Sequence, residues 1–387
     1  MFRFGLLLVV LGMALAAQSA ASHKKLIEYG WDVPMASYVA AHIADMEQRP
    51  FDGVALAIQP GVTRSPLSRV RWGGPELEKE LAALRSIKWG RFTDNFLIAY
   101  SASNMDWFSD ADWDAVTANA GLLARAAREG GCKGIFFDPE PYGKNPWHYH
   151  DQPRAGEKSF PEYQAMVRRR GAQFMTALQQ NYPGIVLHTF FFANALRQRD
   201  LNPNDPASLA RLISDDPHEF NHRGLYPSFM NGLLDAAAPG VIINDGNELS
   251  YYFTKAAHFT SARERILGSN ADLVAPELHA AYAAHVRNAP ALYVDYLYGR
   301  SHDATPGTFL TAGEQTRWFA HNLYHALSTA DRYVWFYSEH MDWWADKDLP
   351  AGILDTIIRI KKKVADGKPL GYTIDDIITR ARARMPK

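Results

Sequence analysis

The chain has 387 residues, 47% of them apolar, and a formal charge of -1. That length allows one large domain or two ordinary ones with ample core material. The near-neutral balance gives no general attraction to nucleic acid or an anionic membrane, and a lone cysteine, Cys132, excludes an intrachain disulfide.

At the N-terminus Arg3 precedes an apolar run over 4–17 and the small residues Ser19, Ala20, Ala21 and Ser22. A short basic start, an apolar segment and a small-residue stretch form the layout of a secretory signal, and the run is too short to span a bilayer. The expectation is a signal peptide over 1–22, a mature chain over 23–387 that is secreted or periplasmic, and no stable membrane span after processing.

From there β-like runs alternate with longer amphipathic stretches. Strands are predicted at 26–32, 52–59, 95–101, 134–140, 185–192, 241–245, 292–298 and 333–339. Helices are predicted at 36–47, 75–84, 112–128, 161–181, 313–328 and 350–365, with a helical tail over 371–387. Eight such units define the α/β class and predict a single-domain (β/α)8 TIM barrel. An open doubly wound sheet would need a Gly-rich phosphate loop after an early strand, which the sequence lacks. Two long connections, 143–158 and 193–226, fall where a barrel builds its substrate walls.

Side-chain parity refines the picture. In 52–59, Val54, Leu56 and Ile58 alternate with Gly53, Ala55, Ala57 and Gln59, as expected for bulky residues against helices and small ones toward a crowded axis. By the same alternation Phe136, Asp138 and Glu140 face inward, as does the face carrying Tyr333, Trp335, Tyr337 and Glu339. In the first strand the expected inward set is Glu28, Gly30 and Asp32, leaving Tyr29 and Trp31 outside.

The most informative segment is Gly134-Ile-Phe-Phe-Asp138-Pro-Glu140-Pro-Tyr142. Two carboxylates spaced by two residues share one face of a strand. They stand at the carboxyl end of a buried parallel strand, where barrels carry their chemistry. Other strand ends add Asp32, Gln59, Ser101, His188, Asp245, Asp295 and Glu339. Crowded carboxylates raise one another's pKa, which lets one keep its proton while another stays ionised. Glycoside hydrolysis needs that pairing. The expected catalytic residues are Glu140 as general acid/base, with Asp138, Asp245 or Glu339 as the second carboxylate. The expected substrate-binding residues are Trp31, Asp32, Gln59, Tyr142, Trp147, His150, His188, Asp295, Tyr298 and Trp343. Trp344 lies near the same rim. The implied partner is a carbohydrate, with no cofactor.

Gly134, Asp138 and Glu140 resemble the end of the fourth-strand signature of family 18 chitinases, although Lys133 and Phe136 stand where that signature has aspartates. The resemblance implies Glu140 as proton donor and Asp138 as the residue orienting a substrate N-acetyl group. Glu140-Pro141 also resembles the fourth-strand acid of retaining β-glycosidases, with Pro139 in place of the usual Asn. In a third resemblance, to retaining α-glycosidase barrels, Asp138 is the nucleophile and Asp245 the acid. Two other readings stand beside these. A metal-dependent hydrolase would use His148, His150 and His188 with Glu140 and Asp245, and a non-catalytic barrel would only bind sugar.

Overall fold

The computed structural model describes residues 24–214 and 220–386; the expected signal peptide over 1–22 lies outside them. Among the described residues nine strands run β1 (Lys25–Glu28), β2 (Gly53–Leu56), β3 (Phe96–Tyr100), β4 (Gly134–Asp138), β5 (Val186–Thr189), β6 (Ile242–Asp245), β7 (Val286–Asn288), β8 (Ala291–Tyr293) and β9 (Tyr333–Tyr337). All pairings are parallel, in the order β7-β6-β5-β4-β3-β2-β1-β9-β8.

The two ends of that order meet. Only Ala289 and Pro290 separate β7 from β8. The Ala289 N–H donates to the Asp245 carbonyl of β6, while the Pro290 carbonyl accepts from Trp335 N–H of β9. Pro290 itself has no N–H to offer. Residues 286–293 therefore act as one broken stave that joins both edges, and eight staves close a barrel.

One principal helix follows each stave: Ala36–Met46, Pro75–Ser86, Asp110–Glu129, Phe160–Asn181, Tyr226–Ala236, Ala256–Leu267, Ala312–Thr329 and Ile353–Ala365. The result is a (β/α)8 barrel, as the alternation of runs predicts. Local chemistry sets the helix starts. At Phe160–Asn181 the Ser159 hydroxyl accepts from Glu162 N–H while the Glu162 carboxylate accepts from Ser159 N–H, and a proline occupies the first turn. The tail forms the helix Asp375–Arg384, tied to the wall through Arg380 and Glu314.

Aromatic rings fill the barrel axis. Phe136 stacks on His188 at 4.1 Å and meets Phe96, Phe190 and Trp335 at 5.4–5.6 Å. Such pairs contribute about 0.5–1.5 kcal/mol each beyond their buried area. Gly134 admits no side chain, because a Cβ there would lie 1.8 Å from the Val186 carbonyl oxygen.

Two expectations are corrected. Tyr29 points inward, with its ring 4.8 Å from Phe190 and 5.8 Å from Phe136. Alternation then puts Glu28 on the helix side, the reverse of the predicted parity. The seventh strand comes earlier than 292–298: the chain turns helical at Val294–Leu297 directly after β8. The connection after β5 also contains the short helices Asn194–Arg197 and Pro206–Leu212.

Candidate active site

At the carboxyl mouth of the barrel Asp138 is the last residue of β4 and fully buried. Its Oδ1 accepts from the Glu140 N–H at 2.8 Å, so the first acid holds the backbone of the second. Ser101 at the tip of β3 donates to the Glu140 carbonyl at 3.0 Å. The Glu140 carboxylate receives a donor on each oxygen: Tyr142 Oη on Oε2 at 3.0 Å and Arg223 Nη2 on Oε1 at 3.2 Å. Burial, then the Glu140 charge, push Asp138 well above the ordinary aspartate range, and Glu248 adds to the effect.

Glu248 is the third acid of this group. It opens the 3-10 turn Glu248–Tyr252 beyond β6, with its N–H on the Phe190 carbonyl. Burial and the neighbouring Glu140 charge raise its pKa to about 8, against the opposing pull of Arg223 and Arg199. Near neutral pH, then, Glu248 can hold a proton and give it up, as a general acid must.

Tyrosines join this side of the mouth to the other. Tyr29 stacks on Tyr337, which also stacks on Tyr251 at 5.6 Å. Tyr337 Oη donates to Glu339 Oε1 at 2.8 Å. Asp295, buried on the Val294–Leu297 turn, accepts from the Glu339 N–H at 2.7 Å and so holds the far acid in place. Trp31, 63% exposed, and Tyr142, 45% exposed, give the rim open aromatic faces. Tyr142 and Gln59 line a groove of about 510 Å³ with Trp72, Asn104 and Lys144. A concavity of about 630 Å³ between the helices Asp110–Glu129 and Phe160–Asn181 holds none of the mouth acids.

The remaining sequence candidates stand elsewhere or hold structure. Asp245 is buried, with Oδ1 accepting from Phe192 and Asn247 and Oδ2 from Asn194, so three backbone donors occupy it. His188 is a core residue stacked under the mouth, and burial lowers its pKa to about 3, leaving it neutral. Trp147 is sealed against Tyr226 and Phe229, with Nε1 on the Pro139 carbonyl. Trp343 is likewise buried, donating to Ser338 Oγ. Tyr298 packs on Phe319 of the helix Ala312–Thr329. Asp32 lies with Glu28 on the helix side, accepting from Trp343 N–H.

The set His148, His150, His188, Glu140 and Asp245 does not assemble as a metal centre. His148 pairs with Asp151 on the loop after β4 beside His222, exposed His150 meets the Ile213 carbonyl, and His188 is in the axis. Sequence reasoning passed over Glu248, Arg223, Tyr29 and Tyr251. Glu248 was within reach, being three residues past Asp245 in Asn-Asp-Gly-Asn-Glu. Arg223 had no local signal, since it arrives from the long connection after β5.

No protein-family model matches the chain, and no curated protein is similar in sequence. Among solved structures it is similar to a sugar phosphate isomerase/epimerase from Parabacteroides distasonis at 10% identity, covering 87% of this chain and 97% of that one, with a TM-score of 0.39. A GH18 chitinase from Pseudoalteromonas aurantia shows 9% identity, 88% and 99% coverage, and a TM-score of 0.37. A GH5-4 broad-specificity endoglucanase from Clostridium longisporum shows 11% identity, 85% and 86% coverage, and a TM-score of 0.41. Similarity this distant does not bear on chemistry, which rests on the side chains of the mouth.

Proposed function

We propose that this barrel is a carbohydrate-processing enzyme that hydrolyses glycosidic bonds, exported by the signal over 1–22. The observation that carries the reading is the pairing of Glu140 with Glu248. One carboxylate is held by Tyr142 and Arg223, and the other has its pKa raised to about 8 by burial and by that neighbour. In the proposed reaction Glu248 gives its proton to the departing glycosidic oxygen as the anomeric C–O bond breaks. Glu140 stabilises the positive charge that develops at the anomeric carbon. One water adds across the broken bond and restores the proton. Asp138 acts through Glu140, fixing its backbone. The exposed faces of Tyr142, Tyr252 and Trp31 offer surfaces on which sugar rings can stack.

This places the second carboxylate at Glu248, where the sequence pointed to Asp138, Asp245 or Glu339. The test is release of reducing sugar from a panel of polysaccharides and oligosaccharides, with Glu140→Gln run in parallel. The expected result is product from at least one substrate and a loss of at least about 10²-fold in the variant. Sugar binding without product on any substrate, or an unaffected variant, counts against hydrolysis.

A further inference from the structure

Across the mouth from Glu140, the loops after β8 and β9 bring two histidines onto one carboxylate. Glu339 Oε2 lies 3.7 Å from His302 Nε2 and 3.9 Å from His340 Nε2, and the three ligand atoms fall within 4.8 Å of one another. We propose that His302, Glu339 and His340 bind one divalent transition-metal ion of the zinc class at this rim. The site is separate from the Glu140 and Glu248 pair and does not depend on the reaction assigned to it.

Three observations support the assignment. First, the donor set is right: two imidazoles and a carboxylate are a common three-ligand set for zinc, which leaves a fourth position for water or an oxygen ligand. Second, the separations are close to what an ion requires. Tetrahedral zinc with bonds of about 2.0–2.1 Å spaces its ligand atoms about 3.3 Å apart, so the two histidine–carboxylate gaps need to close by about half an ångström and the gap between the histidines by no more than about 1.5 Å. His302 is mostly exposed, with 69% of its side-chain surface open, and has room to do so. Third, the carboxylate is already oriented. Glu339 is 13% exposed, its Oε1 is taken by Tyr337 Oη and its N–H by Asp295, while the solvent-shielded Oε2 has no hydrogen-bond partner and faces the two rings. Outer contacts of this kind aim a ligand atom and sharpen affinity. Trp31 lies 6.2 and 6.3 Å from the two histidine rings, so a ligand on the open position would meet an exposed indole.

The test uses the full chain without a histidine tag, stripped with chelator and titrated with zinc chloride by calorimetry, with bound metal counted after dialysis. The expected result is one ion per chain with a dissociation constant of roughly micromolar or tighter. His302→Ala, His340→Ala and Glu339→Gln should each weaken binding at least about tenfold while unfolding stays cooperative. His148→Ala, which alters the other histidine cluster, should leave binding unchanged. No uptake by the parent protein, or uptake that survives all three substitutions, overturns the site. Sugar release by the same preparations is scored separately, so a failure of hydrolysis and a failure of metal binding are distinguishable.

Discussion

Two groups of carboxylates sit on opposite faces of the barrel wall, and only one of them is ringed by cationic and hydroxyl donors and open aromatic faces. Glu28 and Asp32 lie behind β1, Glu28 fully buried and Asp32 half-buried where it accepts from the Trp343 N–H; Asp138, Glu140 and Glu248 belong to the mouth. The same forces act on both. Burial and a neighbouring acid raise Glu28 well above the usual glutamate range, and burial raises Asp32 to about 7. Glu248 reaches about 8 in the same way. A raised pKa therefore does not by itself mark an active site. What separates the groups is access and the quality of the partners. Glu28 offers no face to a substrate, being wholly buried, and the wall beside it is tight: a Cβ at Gly30 would lie 2.5 Å from the Ser338 carbonyl oxygen. The mouth group has an arginine, a tyrosine hydroxyl and open aromatic faces around it.

The largest expected effect that sharpens this contrast is on turnover. Glu248→Gln should reduce kcat by at least about 10²-fold, as a lost general acid does. Glu28→Gln, behind the wall, should leave kcat near that of the parent. Equal losses from the two substitutions would erase the distinction.

A smaller effect is expected on stability, and its sign follows from linkage. A carboxyl whose folded pKa lies above its unfolded value holds its proton more tightly in the folded state. Its contribution is fully present at acidic pH and is lost as pH rises from the unfolded pKa through the folded one. Because burial raises Asp32 to about 7 and holds Glu28 well above its ordinary range, the parent protein should lose stability on going from pH 5 to pH 8.5. Glu28→Gln removes one of the two charges, so its melting temperature should fall less over that interval. Parallel melting curves for parent and variant would show that Glu28 and Asp32 are not a proton-holding unit.

Much of the barrel was legible because a closed parallel sheet leaves period-two apolar runs, and eight such runs each precede a helix. The parity of β2 was readable from Gly53, Ala55 and Ala57, since small residues can only face the crowded axis. That of β1 was not. Tyr29 and Glu28 are both compatible with either face, and the choice was made by the rings of Phe136, Phe190 and Trp335 from distant strands. The seventh stave was misplaced because Pro290 breaks it and the residues after Tyr293 turn helical. In the mouth, Asp138 and Glu140 announced themselves by spacing on one strand. Asp245 carried the same strand-end signal, yet three backbone N–H groups claim it. Glu248 stands on a turn, and no periodicity points to a turn residue. Arg223 is brought to Glu140 across 83 positions of sequence, a pairing that only folding creates.

The most direct measurement is a carbon-13 NMR titration of carboxyl-labelled glutamates, with Glu248→Gln used to assign its signal. Glu248 should titrate near pH 8 in the parent protein and move to lower pH in Glu140→Gln, because removing that charge removes part of what holds the proton. A Glu248 signal that titrates in the ordinary glutamate range, or that is indifferent to Glu140→Gln, would contradict the pairing on which the proposed chemistry rests.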